Sequence, residues 1–242
     1  MPPLRRHLLP LTAGLEAGRL TVGGVDVLEL VERHGTPLFV YDEEHLRQRC
    51  REAVAAFGDG VAYASKAFMC KAMAALAHEE RMGLDVSTAG EVHVALAAGV
   101  PPGRLVFHGN NKSEEELATA LDVGVHRIVV DSFDEIDRLE ALVAAGRRPA
   151  PALLRVTPGI EAHTHEYVRT GQEDSKFGFG LASGAAAEAV AQCRVSPAVT
   201  LVGLHVHIGS QIFLAHSFAK AVDVVADFVR PLDLPELCMG GG

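Results

Sequence analysis

Lys66 carries the clearest chemical possibility in the chain. It stands in Tyr63-Ala64-Ser65-Lys66-Ala67, directly after a short apolar stretch. A lysine held in a partly apolar mouth loses hydration, which favours the free amine and equips it for Schiff-base chemistry. The bland alternative is a solvated lysine at a helix N-terminus, where the helix dipole mildly disfavours a cation. His205 and His207 form an H-x-H. On a strand both side chains share a face. Three uses fit that pair: a metal pair, an imidazole packed flat on an aromatic cofactor, or two buried, hydrogen-bonded histidines. The Gly209-Ser210 that follows shifts the weight towards an anion-binding turn next to His207. Gly240-Gly241-Gly242 follows an apolar stretch and suits a close backbone approach to a phosphate at least as well as a flexible tail. His163-Thr164-His165, with Glu161 and Glu166, is a weak metal candidate on a loop. Asp174-Ser175-Lys176-Phe177-Gly178 reads as a polar turn with one aromatic.

These groups need a scaffold that gathers them. Short β-branched or apolar runs alternate with Ala-rich stretches of helical periodicity. The pattern predicts strands at 61–65, 82–86, 104–108, 126–131, 152–157 and 201–208, with a last one near 236–239. Helices are expected at 43–57, 67–79, 88–98, 113–122, 132–145, 183–193 and 216–229. Ser113 with Glu116 fits a capping box, Ser132 with Glu135 repeats the device, Asp42 caps the first helix, and Pro231 helps end the last. Repeated strand–helix units imply parallel strands with right-handed crossovers. The spacing fits a (β/α)8 barrel of TIM type better than an open sheet, an incomplete one with about seven strands. Residues 1–40 stand outside the repeat, and residues 41–242 read as a barrel truncated before its eighth strand.

Working residues in such barrels sit at the C-terminal ends of the strands. That filter selects Lys66, Asp85, His108 with Asn110, Arg155, then His207, Gly209 and Ser210, and finally Gly240, Gly241 and Gly242. A lysine, histidines, an aspartate and an arginine meeting on one rim with Gly/Ser turns is an unusual concentration, and such turns offer backbone N–H groups to a phosphate.

Composition narrows the class. Of 242 residues, 48% are apolar, which is ample for a packed core and excludes a disordered or fibrous chain. A net charge of −9 argues against a nucleic-acid backbone as partner. No apolar run is long enough to span a bilayer, and Glu16 interrupts the N-terminal apolar patch too early for an export signal. Cys50, Cys70, Cys193 and Cys238 are scattered, which fits reduced thiols in a cytoplasmic protein.

Taken together the motifs resemble one family. Tyr63-Ala-Ser-Lys66-Ala-Phe68 is similar to the pyridoxal-phosphate lysine segment of the diaminopimelate decarboxylases, barrel enzymes grouped with ornithine and arginine decarboxylases and alanine racemase. The resemblance extends through Gly35-Thr-Pro-Leu-Phe-Val-Tyr-Asp42, Leu84-Asp85-Val-Ser-Thr-Ala-Gly-Glu91 and Phe107-His-Gly-Asn-Asn-Lys-Ser113. It continues through Arg155-Val-Thr-Pro-Gly159, Glu161-Ala-His-Thr-His165, Asp174-Ser-Lys-Phe-Gly178 and His205-Val-His-Ile-Gly-Ser-Gln-Ile212. The last three in that order are highly specific, whereas each alone is weak.

The resemblance implies pyridoxal 5'-phosphate as cofactor, and decarboxylation of meso-2,6-diaminopimelate to L-lysine and CO2, the last step of lysine biosynthesis. Lys66 would hold the cofactor covalently and later return a proton, so that Lys66 and His207 are the implied catalytic pair. Asp85 and Arg155 would support the lysine and the ring, and His207 would stack on the ring. Ser210 and Gly240 to Gly242, with Gly209 beside them, would serve the phosphate. His108 and Asn110 would line the rim. No metal is implied. A homodimer is implied for the full-length protein, and the segment 1–40 would belong to a C-terminal β domain. The family pattern continues past Gly242 with an eighth strand, a glutamate for the pyridine nitrogen and the substrate-specificity residues, so this chain is expected to be an inactive fragment on its own. Another pyridoxal-phosphate barrel decarboxylase or racemase, a non-catalytic pyridoxal-phosphate protein and a metal-dependent hydrolase using His205 and His207 are the rival readings.

Overall fold

The computed structural model describes residues 6–159, 176–209 and 215–241. The chain divides into two compact units, residues 1–63 with 75–83, and residues 64–74 with 84–242.

In the first unit a three-stranded antiparallel sheet runs β1 (Gly14–Glu16), β2 (Arg19–Val22) and β3 (Val25–Asp26). Two-residue turns join the strands, Ala17-Gly18 and Gly23-Gly24, with all four residues at positive φ. That conformation matches the natural twist of a tight hairpin. Helix α1 (Val27–His34) follows, capped by the Asp26 carboxylate on the Leu28 N–H. Helix α2 (Glu43–Phe57) starts at Asp42, whose carboxylate accepts from the His45 N–H as expected. Arg47 and Arg51 on α2 meet Glu79 and Glu80 in a network of exposed and half-exposed ion pairs.

The second unit carries most of the parallel sheet. Strands β4 (Ala62–Ala64), β5 (Gly83–Val86), β6 (Leu105–Phe107), β7 (Arg127–Val130), β8 (Ala150–Thr157), β10 (Val199–Val206) and β11 (Glu236–Cys238) lie side by side in that order. A short strand β9 (Phe179–Gly180) pairs with β8. Helices α3 (Lys71–Glu79), α4 (Ala89–Ala97), α5 (Glu114–Val123), α6 (Phe133–Ala144), α7 (Ala185–Val195) and α8 (Ala215–Val229) alternate with the strands. The expected seven strands and their helices are therefore all present, and the sheet is that of an incomplete (β/α)8 barrel. Seven of the eight residues of β8 are buried, as expected of a strand covered on both faces. Leu84, Phe107, Ile128, Leu154 and Leu204 fill the centre with almost no exposure.

Two local details differ from expectation. The helix predicted to begin at residue 67 begins at Lys71, because Ser65–Ala67 form a 3-10 turn and Phe68 returns to extended backbone. Lys66 therefore does not stand at an α-helix N-terminus. The capping box at Ser113 and Glu116 is complete, but the one at Ser132 is not. Ser132 accepts from the Glu135 N–H, while the Glu135 carboxylate accepts from the Asp131 N–H and pairs with Lys112. Residues 1–40, which stand outside the strand–helix repeat as expected, hold β1 to β3 and α1.

Candidate active site at the C-terminal strand ends

One cavity of about 560 Å³ opens at the C-terminal ends of the parallel strands. Lys66, from the turn after β4, reaches it and is exposed. The dehydrated lysine expected from the sequence is thus not found: Lys66, in the 3-10 turn Ser65–Ala67, is exposed. Asp85 comes from β5 and His108 from just past β6, with His108 Nε2 3.2 Å from Asp85 Oδ1. Arg155 reaches in from β8, and His205 and His207 from β10 and its end. Gly240 and Gly241 close the lining after β11.

The strand register explains the convergence. Arg155, His205 and Cys238 are direct neighbours across β8, β10 and β11. Parallel strands in step bring equivalent side chains to one rim. His205 is buried, and its ring meets His108 edge to face at 4.9 Å. Burial first, then the nearby His108 and Arg155, holds His205 well below the ordinary imidazole range. His207 is half-buried, and burial, followed by the Arg155 and Lys66 cations, pushes it down to about 4. Both imidazoles are neutral at neutral pH, which suits packing against a ligand better than ion pairing. Nδ1 of His205 is buried without a hydrogen-bond partner among the described residues.

Arg155 is anchored from beside. Its Nη1 lies 3.4 Å from Asp131 Oδ2 at the end of β7, and Phe177 packs over its guanidinium at 4.4 Å. Burial pulls Arg155 down and Asp131 up, and each charge offsets the other's shift. Asp131, Phe177 and Ser87 were not singled out from the sequence as site residues, although Asp131 ends a predicted strand and satisfies the same positional rule that selected Asp85. Asn110 lines the cavity and also donates to the Lys176 carbonyl. Gly209 is buried at φ +133 after Ile208 and is not part of the cavity lining. Ser210, Gly242, the Glu161 to Glu166 segment, Asp174 and Ser175 lie outside the described residues.

Residues 43–242 match the family described as pyridoxal-dependent decarboxylase, pyridoxal binding domain. The chain belongs to the pyridoxal-dependent decarboxylases. It is 46% identical over 239 residues to diaminopimelate decarboxylase of Mycobacterium tuberculosis, covering 94% of this chain and 54% of that one. Against the Bacillus subtilis enzyme of the same name the identity is 50% over 213 residues, 86% of this chain and 48% of the relative. The crystal structure of diaminopimelate decarboxylase from M. jannaschii in complex with L-lysine superposes with a TM-score of 0.83 at 32% identity. That match covers 92% of this chain and 53% of the other. The chain thus spans about half the length of the relatives it matches.

Family membership brings a cofactor, pyridoxal phosphate. The cavity fits such a group on its donor chemistry: a single lysine amine, two neutral imidazoles and a buried guanidinium face one space. It fits also on shape. Gly240 sits at φ +62, and a Cβ there would come 2.5 Å from the Val206 carbonyl and 3.1 Å from His207 Nδ1. Only glycine permits that close approach to the end of β10 beside the cavity. Among the described residues no cluster of three or more His, Cys, Asp or Glu could hold a metal ion.

Proposed function

We propose that this chain forms the cofactor-holding part of a diaminopimelate decarboxylase, in which Lys66 binds pyridoxal phosphate covalently and decarboxylation of meso-2,6-diaminopimelate yields L-lysine. The observation that carries the reading is the meeting of Lys66 and His207 on one cavity although 141 positions separate them, 207 less 66. The name shared by the relatives and the lysine held by the M. jannaschii enzyme support the substrate class.

Pyridoxal phosphate, when bound, supplies a conjugated ring that absorbs the charge left on the substrate carbon as CO2 departs. Every other task falls to the chain. The Lys66 amine, which lines the cavity, would hold the cofactor and could return a proton to that carbon. The His207 imidazole, neutral and half-buried, offers a flat face for the ring. Asp85, held against His108, and Arg155, held against Asp131, supply one negative and one positive group to position ring and lysine. The backbone at Gly240 and Gly241, which lines the cavity, would offer N–H groups to the phosphate; the same role for Gly209, Ser210 and Gly242 rests on the family resemblance alone. His108 and Asn110 shape the rim. A cytoplasmic homodimer, with residues 1–40 contributing to a second domain, completes the proposed assembly.

The test is visible absorbance of the purified chain with added pyridoxal phosphate. A band that Lys66→Ala abolishes and that meso-diaminopimelate or L-lysine perturbs is expected. Cofactor binding with no response to either amino acid would favour a non-catalytic pyridoxal-phosphate protein, and no band at all would refute the cofactor site.

A further inference from the structure

We propose that Asp131 is a positioning residue of the cofactor cavity, holding the Arg155 guanidinium and the 176–178 turn together as one wall. The inference rests on the cofactor reading above and adds a residue to it.

Asp131 stands one residue past the end of β7, and its side chain is 1% exposed. Its two oxygens are divided between two partners. Oδ2 faces Arg155 Nη1 at 3.4 Å, and Oδ1 accepts from the Gly178 N–H. Arg155 has five N–H donors, and this is its only hydrogen bond among the described residues. The rest of the guanidinium borders the cavity, under the Phe177 ring at 4.4 Å. A long arginine side chain fixed at one nitrogen and one face has few remaining rotamers, so its free donors are already aimed.

The turn is held just as deliberately. The Phe177 carbonyl accepts from Thr157 Oγ1 at 2.6 Å, and the Lys176 carbonyl accepts from Asn110 Nδ2 at 3.4 Å. Three side chains, each at or just beyond a different strand end, thus grip three consecutive residues, and Asp131 alone also grips Arg155. Gly178 completes the fit. It lies at φ +71, and a Cβ there would meet the Arg155 carbonyl at 2.6 Å and Arg155 Cγ at 3.0 Å. The turn and the arginine therefore share a surface that admits no side chain at position 178. Charge drives the choice of aspartate: a buried guanidinium needs a counter-charge, and an amide in its place would turn an NH2 towards Arg155 or leave the Gly178 N–H unmet.

The experiment compares the wild-type chain with Asp131→Asn, Arg155→Gln, the double variant and Gly178→Ala. Each is titrated with pyridoxal phosphate and read by visible absorbance and by the induced circular dichroism of the bound cofactor. Asp131→Asn should weaken cofactor affinity about tenfold or more and change the induced dichroism, as expected for loss of a charged hydrogen bond. In the Arg155→Gln background the same change should add little, since the two act as a unit. Gly178→Ala, which alters no charge, should lower affinity too by pushing the turn away from Asp131 and Arg155. It keeps the test decisive should Asp131→Asn fail to fold. Additive losses in the double variant, or wild-type affinity and dichroism in Asp131→Asn or Gly178→Ala, would overturn the proposal. A wild-type chain with no cofactor band would instead overturn the cofactor reading itself.

Discussion

At the scale of single residues, buried charge separates groups that hold the fold from groups that face the ligand. Lys112 and Glu135 are an ion pair with side chains 1% and 3% exposed, 2.6 Å apart. Lys112 Nζ also donates to the Gly109 and Val129 carbonyls at 2.6 and 2.8 Å. Burial pushes the Glu135 carboxyl up, and Lys112 opposes it. Removing one partner strands the other, so Lys112→Ala should lower stability by about 3–5 kcal/mol in urea melts. The cavity histidines behave differently. His207 falls from 6.5 in the unfolded chain to about 4 in the fold. The unfolded state therefore takes up the proton first as pH drops, and stability should fall between pH about 6.5 and about 4 by up to about 1.4 kcal/mol per pH unit. His207→Asn should flatten that decline in melts of the cofactor-free chain. The residue types at 66, 85, 155 and 207 were readable from the sequence because each stands within two residues of a strand's C-terminal end. Asp131 satisfied the same rule yet drew no notice, since its importance lies in a contact with Gly178, 47 positions away, that no local pattern encodes.

At the scale of elements, the periodic segments were the most legible. Seven strands and their helices matched because hydrophobic alternation and caps are local properties. Ser113 illustrates this: it accepts from the Glu116 N–H, and the Glu116 side chain returns the bond to the Ser113 N–H. Ser113→Ala should cost about 1 kcal/mol by thermal or urea unfolding. The equivalent reading at Ser132 went half astray because Glu135 is drawn into the core by Lys112, a tertiary demand that local spacing does not register. The N-terminal hairpins were missed for another reason. Strands of two to four residues are too short for a periodic signature, and the Gly23-Gly24 pair, a tight-turn marker, passed unread. The start of α3 was placed four residues early because the Ala-rich run hides the 3-10 turn that carries Lys66.

At the scale of the molecule, the parallel sheet turns separate strand ends into one site. Residues from β4 to β11 reach the same cavity because every strand of a repeated strand–helix unit points the same way. That rule was enough to gather Lys66, Asp85, His108, Arg155 and His207 before any coordinates. It was not enough to show that Lys66 is exposed, since hydration depends on the turn geometry beyond the strand. The span of about half the relatives' length makes cofactor capture, rather than turnover, the property to measure on this chain. Borohydride reduction of the chain loaded with pyridoxal phosphate, followed by peptide mass mapping, tests that capture most directly. One stoichiometric adduct on Lys66, absent from Lys66→Ala, is the predicted result; an adduct on other lysines with Lys66 unmodified would contradict the account.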